Sequence, residues 1–170
     1  MLTRLRILSI TGPLTAVAVA TASAQQPLEI GMDAGFDATF NGDAVWSVTV
    51  PVQQVRVGFM AADQFSVEPR LSFNFISNGG SVTTLQASAH VLYHIGPGGR
   101  SRPYVTAGGT FFLVDFDGNS KTDFAAGAGV GVTLPILAQL AARLEGRYDR
   151  MFDAEANIVS VTIGLSVFTR

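Results

Sequence analysis

From residue 28 to the end of the chain, apolar and polar residues alternate with a period of two, and turn-forming residues interrupt the alternation at nearly regular intervals. Such alternation separates two faces of a β-strand, since successive side chains point to opposite sides of the pleat. Leu28, Ile30, Met32, Ala34, Phe36, Ala38 and Phe40 share one face, against Glu29, Gly31, Asp33, Gly35, Asp37 and Thr39. Phe65, Val67, Pro69, Leu71, Phe73 and Phe75 oppose Ser66, Glu68, Arg70, Ser72 and Asn74. Leu85, Ala87, Ala89, Val91 and Tyr93 oppose Gln86, Ser88, His90 and His94. The pattern returns in 123–133, in 140–149 with Arg143, Glu145, Arg147 and Asp149 on the polar side, and in 159–167. The second segment changes parity between Val52 and Val55, as a β-bulge around Pro51–Gln54 would make it do. The fifth, Pro103–Phe116, is apolar on both faces, and the pattern does not orient it.

The interruptions predict hairpins. Asn41-Gly42, Asn78-Gly79 and Asp117-Gly118 suit tight turns that need φ > 0. They stand 37 and 39 residues apart, and the polar stretch Asp153–Asn157 falls where the next is due. Ala61–Gln64, Gly96–Arg102 and Pro135–Gln139 lie midway between them. Eight segments result, of about 18 residues each with its turn, long enough for strands of about 9–11 residues.

Eight alternating antiparallel segments close most simply into an up-and-down β-barrel, and closure leaves no free edge. Alternation alone does not say which face is inside. An apolar interior would make a soluble barrel that binds a small apolar ligand; an apolar exterior would make a transmembrane barrel. Composition favours the second. Hydrophobic residues are 48% of the chain and charged residues 14%, with no long apolar run after residue 24 to form a spanning helix. The polar face is rich in small residues that fit the narrow interior of an eight-stranded barrel. Its charges, Glu29, Asp33, Glu68, Arg70, Arg143, Glu145, Arg147 and Asp149, are of both signs and could pair across a lumen as a plug, with Arg143 and Arg147 facing Glu68, Glu29 and Asp33. Phe36, Phe40, Trp46, Phe65, Phe73, Phe75, Tyr93 and Tyr148 sit toward strand ends on the apolar face, as aromatic girdles do.

The first residues change the compartment. Arg4 and Arg6, an apolar stretch over 7–20, and Ala22-Ser23-Ala24 before Gln25 read as a secretory signal peptide, residues 1–24, leaving a domain over 25–170. That domain carries 9 Lys+Arg (11 less Arg4 and Arg6) against 13 Asp+Glu, a formal charge of −4. No basic cluster offers a nucleic-acid surface. Without cysteine there is neither a disulfide framework nor thiolate chemistry.

Several segments resemble the small outer-membrane β-barrels of the OmpA/OmpX type. Arg102-Pro103-Tyr104-Val105-Thr106-Ala107-Gly108-Gly109 looks like that family's RPY-x-x-G-G strand start. Ala125–Val132 is similar to its glycine-alternating strand, Leu144–Asp149 to the next, and Ile163–Phe168 to its closing strand. The resemblance implies an eight-stranded transmembrane barrel in the bacterial outer membrane, non-enzymatic, structural or weakly porin-like, and without a cofactor or metal. It implies outer-membrane lipid and lipopolysaccharide as surroundings, and the barrel-assembly and periplasmic chaperone machinery as partners. The chain departs from the family in ending Phe168-Thr169-Arg170 rather than on an aromatic residue, and in the shortness of its outer turns.

Two clusters could carry chemistry. Ser88, His90 and His94 share one strand face, and Glu68 on the neighbouring strand could supply the acid of a hydrolytic triad. A lipid substrate, however, would lie outside while this face points in, so hydrogen-bonded lumen histidines are expected instead. Asp115-Phe-Asp117-Gly-Asn119 has its glycine misplaced for a calcium loop and reads as an acidic hairpin turn.

Overall fold

In a computed structural model of the chain, the described residues are 28–40, 48–49, 54–77, 81–96, 101–116 and 118–169. Among them the regular elements are all strands: β1 (Leu28–Phe40), β2 (Val48–Thr49), β3 (Gln54–Ala62), β4 (Phe65–Ser77), β5 (Ser81–His94), β6 (Arg102–Phe116), β7 (Asn119–Leu137), β8 (Leu140–Met151) and β9 (Asn157–Phe168). Both β2 and β3 pair with β1, as two pieces of one stave. Every other strand pairs antiparallel with its sequence neighbours, and β1 also pairs with β9 from Glu29↔Phe168 to Phe40↔Asn157. The sheet is thus a closed barrel of eight staves, with both described chain ends at one rim, here the terminal end.

Closure satisfies the backbone without water, which a barrel in hydrocarbon requires. The side chains then sort by parity. Ile30, Met32, Phe36, Leu71, Phe73, Val130, Leu144, Ile163 and Leu165 are exposed on the outside. Asp33, Arg56, Glu68, Arg70, His90, Arg143, Glu145 and Asp149 are buried inside. This is the inverse of a soluble barrel, so an apolar interior is excluded. Aromatic rings gather outside near both rims. Phe65 and Tyr93 meet at 5.1 Å near the terminal end, and Phe124 and Phe152 stack at 5.9 Å near the far end.

The strand that the pattern could not orient is settled by its partners. Tyr104, Thr106 and Thr110 on β6 point inward and are buried, while Val105 and Phe111 point out. Leu92, an apolar residue on the polar face of β5, is also buried inside. Two turns are shorter than expected. Ala61-Ala62 continue β3 and Pro135–Leu137 continue β7, leaving Asp63-Gln64 and Ala138-Gln139 as two-residue loops. Local register shifts at Met60/Ala62 and Pro135/Leu137 allow this, and they place Pro135 where its missing N–H costs no regular ladder bond. Two residues separate β6 from β7, and the second, Gly118, stands at φ 85°. Asp115 tightens this connection, accepting hydrogen bonds from Gly118 N (3.0 Å) and Ser120 Oγ (2.6 Å). The acidic loop therefore spends Asp115 on its own hairpin.

The expected leader 1–24, the turns Asn41-Gly42 and Asn78-Gly79, and Trp46 lie outside the described residues, as does the side chain of Phe75. So do residues 51–53 of the expected bulge, but the registers on either side of it, Asp37↔Thr49 and Asp33↔Gln54, differ by one residue.

Candidate functional site

The lumen holds the polar groups, and glycines make the room. A Cβ added to Gly31 would run into the Arg56 guanidinium, and one at Gly108 into the His90 ring. One at Gly127 would meet Asp149, and one at Gly131 would collide with the Tyr104 hydroxyl. Each of these four glycines faces a large polar side chain, so small residues and charges of the inner face are parts of one packing scheme.

Three arginines and their acids fill the middle of the barrel. Arg56, wholly buried, donates from Nε to Asp33 (2.8 Å), from Nη2 to Ser166 (2.7 Å), and from Nη1 to Glu29. Arg70 donates to Glu68 (2.7 Å) and, in a two-pronged pair, to Glu145 at 2.7 and 2.9 Å. Arg143 donates to both oxygens of Glu68 and to Glu145 Oε2 (2.6 Å). Its guanidinium also lies 4.6 Å over the Tyr104 ring, whose hydroxyl donates to Glu145 (2.8 Å). Arg56 and Arg70 stand directly opposite each other in the β3–β4 ladder. Glu68, near both, offsets that like-charge contact.

Arg147 belongs to a separate group nearer the far end. It pairs with Asp149 (Nε to Oδ2, 2.9 Å) and donates to His90 Nε2 (2.6 Å). The expected pairing of Arg143 and Arg147 with Glu29, Asp33 and Glu68 is thus realised differently. Arg143 holds Glu68 and lies 3.7 Å from Glu29, while Arg56 takes Asp33 and most of Glu29. Arg147 sits too far toward the other rim for those three and keeps Asp149, two residues along its own strand. Arg56 and Tyr104 are the two large members that pattern reading passed over. Arg56 was legible, because it takes the parity opposite to Val55, Val57 and Phe59. Tyr104 was hidden by the apolar residues on both faces of its strand.

The histidine cluster does not form a triad. Glu68 stands beside His90 in the ladder, but its oxygens are taken by Arg70 and Arg143. Ser88 stands opposite Arg70 and makes no hydrogen bond to either histidine. His94 instead meets Ser66 Oγ at 3.0 Å, while its Nδ1 has no partner. A serine–histidine contact without an orienting acid, buried in the lumen, lacks the third group that nucleophilic catalysis needs.

The network divides the lumen. On its terminal side a void of about 20 Å³ lies among Glu29, Ser66, His94 and Thr133. On its far side a cavity of about 260 Å³ has Arg70, Glu145 and Arg147 at its base, and Asp37, Thr39 and Ser160 higher on its walls. Because Gly131 faces Tyr104, Gly131→Ala is expected to push that ring off Arg143 and Glu145 and cost about 1–3 kcal/mol, by analogy with overpacked cores. Urea unfolding of the refolded barrel in detergent would read it; an unchanged midpoint would show that the ring has room to yield.

Residues 9–167 match the family model described as outer membrane protein beta-barrel domain. No curated protein matches the chain. Among solved structures, Neisserial surface protein A superposes with a TM-score of 0.65 at 14% identity, covering 84% of this chain and 99% of that one. Ail, the attachment invasion locus protein of Yersinia pestis, in complex with the heparin analogue sucrose octasulfate, gives 0.61 at 10% identity, covering 84% and 98%. A major outer membrane protein of Thermus thermophilus gives 0.54 at 14%, covering 84% and 99%. At these identities the likeness is one of fold.

Proposed function

The chain belongs to the outer membrane protein β-barrel domain family, and from that premise we propose that it is a non-enzymatic, structural barrel whose lumen is closed to solutes. The observation that carries this is the buried arginine–carboxylate network across the barrel's middle, with Arg56 and Glu68 almost completely shielded from solvent. Eight strands leave an interior that side chains just fill, and here they are charged side chains paired with one another. Catalysis finds no support in the lumen, where each carboxylate near a histidine is held by an arginine.

In this reading residues 1–24 are a cleaved export signal and the terminal end faces the periplasm. The far end, with its short turns, then faces outward among lipopolysaccharide. The apolar belt contacts lipid, and assembly uses the periplasmic chaperone and barrel-assembly machinery. The segments that join strands at the far end are short in sequence, which disfavours an adhesive role.

Two measurements test the proposal. Purified from the outer-membrane fraction, the protein should migrate as a compact species in SDS until boiled and shift thereafter. In planar bilayers it should show no discrete conductance steps. Steady steps from the folded species would overturn the closed lumen and restore a porin-like role.

A further inference from the structure

The far cavity has one feature that the network does not explain. The arginines at its base are already neutralised, Arg147 by Asp149 and Arg70 by Glu68 and Glu145. Asp37, higher on the wall, has neither an ion pair nor a hydrogen bond among the described residues. The charged groups acting on it are Asp149 and Arg147, which are paired with each other. Lys121 lies near the rim, but it is exposed and does not line the cavity. Segments 41–47 and 78–80 and residue 117, which join strands at this end, contain no Lys or Arg. A carboxylate in a low-dielectric cleft with no counter-charge focuses negative potential there and attracts a cation.

We infer that the far half of the lumen is a binding site for a small organic cation, a primary ammonium compound anchored on Asp37. The cavity, about 260 Å³, lies just below the range of about 300–1,000 Å³ usual for small-molecule sites, so the ligand is small. An ammonium group has three donors and no acceptor. Asp37 takes one, and the hydroxyl oxygens of Thr39, Ser160 and Thr162, which line the same cavity, can accept the others. Phe112 lines it too and offers a ring to the cation. A dehydrated divalent metal fits less well, because no three His, Asp or Glu side chains converge among the described residues. The site follows from the barrel fold and its lumen and does not depend on the membrane orientation proposed above.

The test is a titration of the ¹⁵N-labelled barrel in detergent micelles, at low salt, with 1,4-diaminobutane. Saturable shifts are expected on residues around the cavity, and about tenfold weaker binding in Asp37→Asn. Ser160→Leu, which fills the cavity without touching the charge, should also lose binding, whereas Asp63→Asn at the opposite rim should not. Retention of the heat-dependent mobility shift in each variant separates loss of the site from loss of the barrel. Absence of saturable shifts in the intact barrel would overturn the inference, as would equal binding by Asp37→Asn or Ser160→Leu. Displacement of the diamine by magnesium at equimolar concentration would overturn it in favour of a metal site.

Discussion

Glu68→Ala is expected to destabilise the folded barrel by about 3–5 kcal/mol, the range seen when one partner of a buried ion pair is removed. Glu68 is 1% exposed and is held by Arg70 and Arg143, with Arg56 at 3.5 Å. Removing its carboxylate leaves Arg70 and Arg143 to share the single charge of Glu145, while Arg56 keeps Glu29 and Asp33. The cost comes from under-paired guanidiniums at Arg70 and Arg143 and not chiefly from lost volume, so Glu68→Gln should recover only part of it. Replacing both members of a pair is a different experiment. In the double variant Glu68→Met, Arg143→Met the effects should fall well short of additive, since the two residues share contacts. Urea titration of the refolded protein in micelles, followed by the folded band on unboiled gels, would measure all three. A Glu68→Ala midpoint within about 0.5 kcal/mol of the parent would mean that water reaches the site and that the lumen is not sealed.

The members of this network were legible in sequence to different degrees, for physical reasons. Alternation reports which face a residue occupies, and so Asp33, Glu68, Arg70, Arg143, Glu145 and Asp149 could be assigned to the interior from parity alone. It does not report height along the barrel axis. Height depends on strand tilt and register, which are set by backbone pairing, and that is why Arg147 was expected beside Glu29 and is found beside His90. In the second segment the parity changes at the expected bulge, and alternation across that break does not by itself assign Arg56 to a face. On β6, Phe112 and Leu113 are adjacent apolar residues on opposite faces, which erased the alternation that would have pointed Tyr104 inward. The turns at Asp63-Gln64 and Ala138-Gln139 were placed correctly but drawn too long, because Ala61 and Pro135 look like turn residues while their backbones still pair.

The second large effect is expected on the outside. Ile163→Arg should cost about 2–4 kcal/mol, the cost of an arginine at the bilayer midplane of such barrels. Ile163 is 63% exposed and stands near the middle of β9, opposite Ala34 and Leu144. Its side chain therefore points into the hydrocarbon, and a guanidinium there has no short route to either interface. The same substitution at Thr169, beyond the end of β9, should cost almost nothing. Equal, small effects at both positions in lipid vesicles would mean that the apolar belt does not sit in the bilayer core.

The network also dictates when this protein can become dry inside. Its strongest contacts join residues 75 apart along the chain, Arg70 with Glu145 and Glu68 with Arg143, and Arg56 reaches Ser166 across 110. None can form within a single hairpin. Until the first strand meets the last, these cross-barrel contacts are unmade and only pairs on one strand or on neighbouring strands, such as Arg70 with Glu68 and Arg56 with Asp33, can form, so a half-built wall must keep water against its inner surface while its outer surface enters lipid. The zipping of β1 against β9 is then also the step that expels solvent. Seam, seal and final fold arrive as one event, late in assembly, and slow in proportion to how much of the chain must wait for it.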